Sequence, residues 1–382
     1  MVFGEVYSIP LHMAAVATDN VQFALTRGEA SLANGLAGAL LMQGQMYSRF
    51  PTATHRQLIT ALVEKLIEVI QTRELDSSLW HGITGVLYAI EFIRSVDANL
   101  IPVELEEFIA DMDEQLLAYV EGGSRTLHFG LATGVAGLGA YALMRNDIEM
   151  SKRLYGAVED ALLAMSIEEN GRRVWLTRQG LRRPLTSAAT GVQGQVDIGM
   201  TQGLAGLVQL FSGAVRYGLG SARTPELLQS TVEALVAYRR PPTQGATFPY
   251  LAAQTAEVGS GLAWCYGDLS AATAIHSAGL ALIRDDWQAL GRDIIEERLM
   301  QPAHTFHLHD DSLCHGRAGA MHLLNKIYGG SPAFPVPQAL NGGESIKPRH
   351  GLFAGSAGLL LTKIDGAHRG RHHWDVCMYM GF

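Results

Sequence analysis

Cysteine is scarce in this chain: Cys265, Cys314 and Cys377 are the only three among 382 residues. Scattered thiols in that number build no disulfide framework, so metal binding or nucleophilic chemistry is the better use for a pair of them. Charge is scarce as well. Asp, Glu, Lys and Arg make up 17% of the residues, and the net charge of -8 comes with no basic stripe, which argues against a nucleic-acid backbone as partner. Long apolar runs are missing too. Stretches such as GLFAGSAGLLL break well short of the roughly 20 residues a bilayer span needs, and no basic-then-apolar signal opens the chain. The expectation is a cytoplasmic protein without a transmembrane segment.

What is abundant is apolar surface and glycine: 48% hydrophobic residues and 42 glycines. So little charge leaves little surface relative to interior, which favours one large closed body. A self-similar signature recurs seven times: SLANGLAG (31–38), SLWHGITG (78–85), FGLATGVAG (129–137), GMTQGLAG (199–206), AWCYGDLS (263–270), SLCHGRAG (312–319) and GLFAGSAG (351–358). Each copy runs into an apolar stretch with helical spacing, and between copies come amphipathic segments such as THRQLITALVEKLIEVIQT (54–72). The simplest architecture is an all-α, α/α toroid: seven inner helices starting at the glycine signatures, inside seven outer helices. Residues 1–30 are expected to pack on this ring and 31–382 to form it. The glycine-rich helix starts gather at one end, which brings residues 265, 314 and 315 together.

Two thiolates and an imidazole make a good zinc site, and three protein ligands leave a fourth tetrahedral position open, the mark of a catalytic site. In such a sulfur-rich site the open position suits a thiol, whose pKa falls from about 8.5 on binding. Cys265 and Cys314 share a place in the signature and are expected to face the same cavity, whereas Cys377 reads as a small core residue. Of the histidines at 304, 307, 309 and 315, only His315 lies in a signature; the others read as exposed loop residues. The widest gap, 134–203, predicts a long loop or small hairpin near the barrel mouth, with five arginines between 172 and 183. Paired aspartates at 285–286 and 310–311 lie outside the signatures, which argues against a carboxylate-based toroid enzyme.

WCYG (264–267) followed by CHG (314–316), within seven glycine repeats, resembles the lanthionine synthetase C-like family over nearly the whole chain. The resemblance implies a double α-toroid with one Zn2+ held by Cys265, Cys314 and His315. It also implies addition of precursor-peptide thiols to dehydroalanine or dehydrobutyrine, giving thioether rings in a bacterial cytoplasm. The implied partner is a dehydrated precursor peptide, with the dehydratase and export machinery, and through them the membrane, as further associations. A monomer is expected, because a closed toroid has no edge to pair. An insertion carried by some members is expected to be missing or reduced between 82 and 134. Three family side chains are absent: an Asp is replaced by Gly130, a His by Gln202 and an Arg by Gly261. Substitutes for proton transfer are sought at His128, His81, Tyr266, Asp268 and, as a hydrogen-bond donor only, Gln202. Trp264, Tyr266 and Asp268 are the expected substrate contacts. Two alternatives stay open: a zinc-binding scaffold for a biosynthetic complex, and addition of an external thiol to a dehydrated residue.

Overall fold

A computed structural model describes residues 11–123, 128–177, 194–241, 246–253, 260–308, 310–329, 349–365 and 372–381. Seven helices begin at the seven signatures: α2 (Leu36–Arg49), α4 (Ile83–Val96), α6 (Val135–Met144), α8 (Leu204–Arg216), α10 (Asp268–Ala281), α12 (Arg317–Tyr328) and α13 (Ser356–Asp365). All ten residues of α6 are buried, as are Thr84–Ile93 of α4, which is what helices apolar on every side require. These helices pack in sequence order, α2 on α4 and so on to α13, and α13 packs back on α2, closing the ring. Close approach is helped by Gly44 of α2, where a Cβ would run into Ile93 of α4.

Outside this ring lie α3 (Ala53–Thr72), α5 (Leu105–Glu121), α7 (Ile148–Met165), α9 (Thr224–Ala237) and α11 (Asp285–Leu299). In α3 the buried residues Ile59, Leu62, Val63, Leu66 and Val69 recur at helical spacing and leave the opposite face wet. At the N-terminus α1 (Leu11–Arg27) lies against α2 and α13, and its Asn20 amide donates to Ser356 Oγ. The region for a further outer helix, 330–348, falls outside the described residues. From 82 to 134 the described chain holds only α4, a short 3-10 turn and α5. Within the widest gap β1 (Ile167–Glu169) and β2 (Arg172–Val174) form an antiparallel hairpin, and residues 178–193, with three of the five arginines, lie outside the description.

The signature loops form a second, tighter ring. Counting back from the glycine before each inner helix, position −2 is Ala33, Trp80, Ala132, Thr201, Cys265, Cys314 and Phe353. Each of these seven carbonyls accepts an N–H from a neighbouring loop: Ala33 donates to Trp80, Trp80 to Ala132, Leu131 to Thr201, Met200 to Cys265, Cys265 to Cys314, Cys314 to Phe353 and Leu352 to Ala33. Position −3 is Leu32, Leu79, Leu131, Met200, Trp264, Leu313 or Leu352, and every one is buried in the core. Position −6 caps the helix: its carbonyl accepts the first helical N–H in six of the seven repeats, as Asp310 does from Arg317.

These caps explain the leading glycines. At Gly35, Gly82, Gly134 and Gly203 the backbone is extended and open to any residue, but a Cβ would collide with the −6 carbonyl. Gly267 differs, since its φ is +107° and a Cβ there would also overlap the Gly261 carbonyl. Gly267→Ala is therefore expected to cost on the order of 3 kcal/mol. Gly156→Ala, in α7 with nothing near the new methyl, is expected to gain about 0.5–1 kcal/mol. Denaturation midpoints of the two variants check both signs.

The chain's last described segment fills the middle of the barrel. Residues 374–378 form a 3-10 helix, and Trp374, Asp375, Val376, Cys377, Met378 and Met380 are buried. Tyr88 of α4 accepts from Cys377 N and donates to the His373 carbonyl, while Tyr379 donates to Ala136 O at the start of α6. Asp375 sits among three cationic or imidazole groups: Lys326 Nζ and His322 Nε2, both 2.6 Å from Oδ2, and His373 Nδ1, 2.5 Å from Oδ1.

Candidate functional site

Cys265 and Cys314 occupy adjacent places in the loop ring, both at position −2, and the Cys265 N–H donates to the Cys314 carbonyl at 3.2 Å. The neighbouring Cys314 thiol holds Cys265 below the ordinary thiol range, while Cys265 and then burial push Cys314 upward. Next around the ring is Phe353, whose ring lies 4.2 Å from that of Trp80, with the small Ala33 between their loops. One side of the ring floor is sulfur and the adjoining side is aromatic.

His315 follows Cys314 directly and is 51% exposed at the side chain, with Nε2 3.0 Å from Asp310 Oδ2. Asp310 is the −6 residue of that repeat, and its Oδ1 accepts the Ser312 N–H at 2.9 Å. Among the described residues no three His, Cys, Asp or Glu side chains stand gathered as a metal cluster. The donor chemistry nevertheless fits zinc. Two cysteines stand on hydrogen-bonded neighbouring loops, and the imidazole of the next residue has one nitrogen against a carboxylate, an arrangement common to metal-ligating histidines.

On the other side of Cys265, Tyr266 donates its hydroxyl to Asp197 Oδ2 at 2.8 Å, and Tyr250 meets its ring edge-on. Asp197 is the −6 residue of the fourth repeat and accepts the Gly199 N–H at 2.7 Å. Burial pushes its carboxyl up to about 6, against those two hydrogen bonds. An acid raised in the folded state weakens folding as pH climbs: below about pH 4 both states hold the proton, and above about pH 6 the full penalty of roughly 2–3 kcal/mol applies. Asp197→Asn keeps the acceptor for Gly199 and cannot ionise. It is expected to match the parent in acid and to exceed its stability near pH 7, as thermal melts across that range will show.

The loops that carry Gly130 and Gln202 meet. A Cβ on Gly130 would collide with the Gln202 amide, so Gln202 occupies the space an aspartate at 130 would need. His128 is the −6 residue of the third repeat; its Nδ1 accepts the Gly130 N–H at 3.3 Å, and its Nε2 lies 2.9 Å from Thr133 Oγ1. Burial lowers its pKa, so it stands as a neutral imidazole cap. His81 is exposed in the second repeat, on a loop whose neighbours carry no thiol. Gly261 donates its N–H to the Tyr250 hydroxyl.

The structure buries two of the expected substrate contacts. Trp264 sits at the core-facing −3 position with 0% exposure, and its indole N–H donates to the Met378 carbonyl, anchoring the barrel-filling segment. Asp268 is buried at the start of α10, where it accepts the N–H groups of Thr247 and Phe248 with Arg298 nearby. Both side chains are thus enclosed by protein, while their roles toward a substrate are untouched by this placement. Tyr266 remains partly exposed beside Cys265. His304 and His307 are exposed, and His309 lies outside the described residues. Asp197, Asp310, Trp80 and Phe353 were missed, although aligning the signatures at their glycines marks the Asp at −6 in three repeats.

The lanthionine synthetase C-like protein family matches residues 26–330 of this sequence. The chain belongs to that family. Among solved structures, nisin cyclase superposes with a TM-score of 0.71 at 20% identity, covering 97% of each chain, which supports the helical toroid. No curated protein matches it in sequence. Among the described residues, no helix of this family member is long and apolar enough to cross a membrane.

Proposed function

We propose that this chain is a zinc-dependent lanthipeptide cyclase with an altered proton-transfer set. The observation that carries the reading is the adjacency of Cys265 and Cys314 in the loop ring, where the Cys265 N–H donates to the Cys314 carbonyl, with His315 next to the second cysteine. Zinc held by these three residues would supply a Lewis acid that lowers the pKa of a substrate thiol. In the reaction the thiol sulfur bonds to Cβ of a dehydroalanine or dehydrobutyrine, the double bond gives way to an enolate, and a proton reaches Cα. Atoms are conserved, so a ring forms without change of mass.

This chain's own residues have to place the peptide and deliver that proton. Phe353 and Trp80 give an apolar wall beside the sulfurs. Tyr266, which follows Cys265 in the chain, has its hydroxyl held on Asp197, and the Gln202 amide can donate to an enolate oxygen without giving up a proton. Losing dedicated acid–base help typically lowers rate by about 10² to 10⁴, so a slow cyclase is expected.

The commitment of His128 to a backbone cap and of Gln202 to Gly130 favours a second reading, a zinc-holding scaffold serving a biosynthetic complex. One experiment separates them. Zinc-loaded protein is incubated with a dehydrated precursor peptide, and free thiols are counted by alkylation and mass spectrometry. Loss of thiols without mass change supports the cyclase; persistence of thiols supports the scaffold; a mass gain after added glutathione marks addition of an external thiol.

A further inference from the structure

We infer that Asp310 is a positioning residue that fixes the imidazole of His315 with its Nε2 on the carboxylate and its Nδ1 lone pair open to a metal. The inference rests on the reading of Cys265, Cys314 and His315 as a metal centre and assigns its orienting group. The argument starts from the repeat. Asp76, Asp197 and Asp310 all stand at position −6, and in each the Oδ1 atom accepts the N–H two residues on, from Ser78, Gly199 and Ser312. At each, a Cβ on the leading glycine would collide with that same Oδ1, so the carboxylate is wedged against the helix start. With Oδ1 committed and the rotamer fixed, Oδ2 points in a set direction.

What Oδ2 meets differs among the three. In the fourth repeat it accepts from Tyr266, the residue beside Cys265. In the sixth it lies 3.0 Å from Nε2 of His315, the residue beside Cys314. The cap common to the fold is thereby used twice to hold the side chain that follows a cysteine. An imidazole whose Nε2–H is taken by a carboxylate exposes Nδ1 as its basic nitrogen, and the carboxylate raises that nitrogen's basicity.

Asp310→Asn separates the two functions of the side chain, since the amide oxygen still accepts from Ser312 while the Nδ2 group cannot accept from His315. Asp76→Asn, the same change in a repeat without a cysteine, serves as the control. In metal-free, 15N-histidine-labelled protein with the ring neutral, long-range 1H–15N spectra are expected to show His315 as the Nε2–H tautomer in the parent and in Asp76→Asn. Asp310→Asn should shift the ring toward the Nδ1–H form. Zinc affinity, read by competition with a chromophoric chelator, should fall about 10- to 100-fold in Asp310→Asn alone. An unchanged tautomer in Asp310→Asn overturns the inference whatever the zinc result, and so does unchanged zinc affinity. Parent protein that shows the Nε2–H tautomer yet takes up no zinc overturns the metal-centre reading, while the orientation of His315 by Asp310 stands.

Discussion

Replacing Cys314 with alanine is expected to abolish zinc uptake and ring closure together. Loss of a mere outer partner of a metal ligand costs about 10- to 100-fold in affinity, so removing a primary sulfur should exceed that. The change also leaves Cys265 without the thiol that holds its pKa down. Zinc stoichiometry of the purified variant and the free-thiol count on a dehydrated peptide are the measurements. Cys377→Ala is the control, because that thiol is buried in the barrel-filling segment and donates to the Trp374 carbonyl. A Cys314→Ala protein that still holds one zinc and closes rings at the parental rate would falsify the proposed centre.

Asp375→Asn should be the most damaging single change to stability, at about 3–5 kcal/mol, because it leaves Lys326 buried without its counter-charge. The segment that Asp375 belongs to fills the barrel, so the loss also loosens the bonds that Tyr88 and Trp264 make to it and the one its own Tyr379 makes to Ala136. Burial opposes ionisation of Asp375, but His373, Lys326 and His322 outweigh it and hold the carboxyl well below the usual range. A depressed carboxylate contributes its full stability above about pH 4 and loses it as pH falls below that. Urea unfolding at neutral pH tests the variant. Adding Lys326→Met should recover part of the loss, since an apolar side chain needs no counter-ion. Additive losses in the double variant would refute the coupling.

The inner ring was legible because the inner helices announce themselves with a recurring glycine spacing, in which a Cβ on the leading glycine would collide with the −6 carbonyl and one on the second glycine with the −3 carbonyl. Cys265 and Cys314 were legible for the same reason, since equal positions in adjacent repeats must be neighbours. The burial of Trp264 and Asp268 was less legible, because closeness to Cys265 along the chain does not say which way a side chain faces. The −3 column of Leu, Met and Trp already showed that side of the loop facing the core. Asp310 was passed over because its pairing with Asp311 drew the eye to a carboxylate motif, while its recurrence with Asp76 and Asp197 shows only on alignment. The collision between Gly130 and Gln202 joins loops about 70 residues apart and leaves no local trace.

The seam of the loop ring, where Leu352 donates to Ala33, joins residues more than 300 positions apart in the chain. An open solenoid can nucleate anywhere, grow by stacking and fray from its ends. A closed circle has no ends to fray, and its last contact must bear a large loop-closure entropy that is recovered only when the circle shuts. Slow, all-or-none folding follows, as does tolerance of new termini: a circular permutant opened between two repeats, with the old ends linked, keeps every neighbour of the thiol pair. Deleting one repeat is different, because six loops span the same circumference only by changing every angle between them.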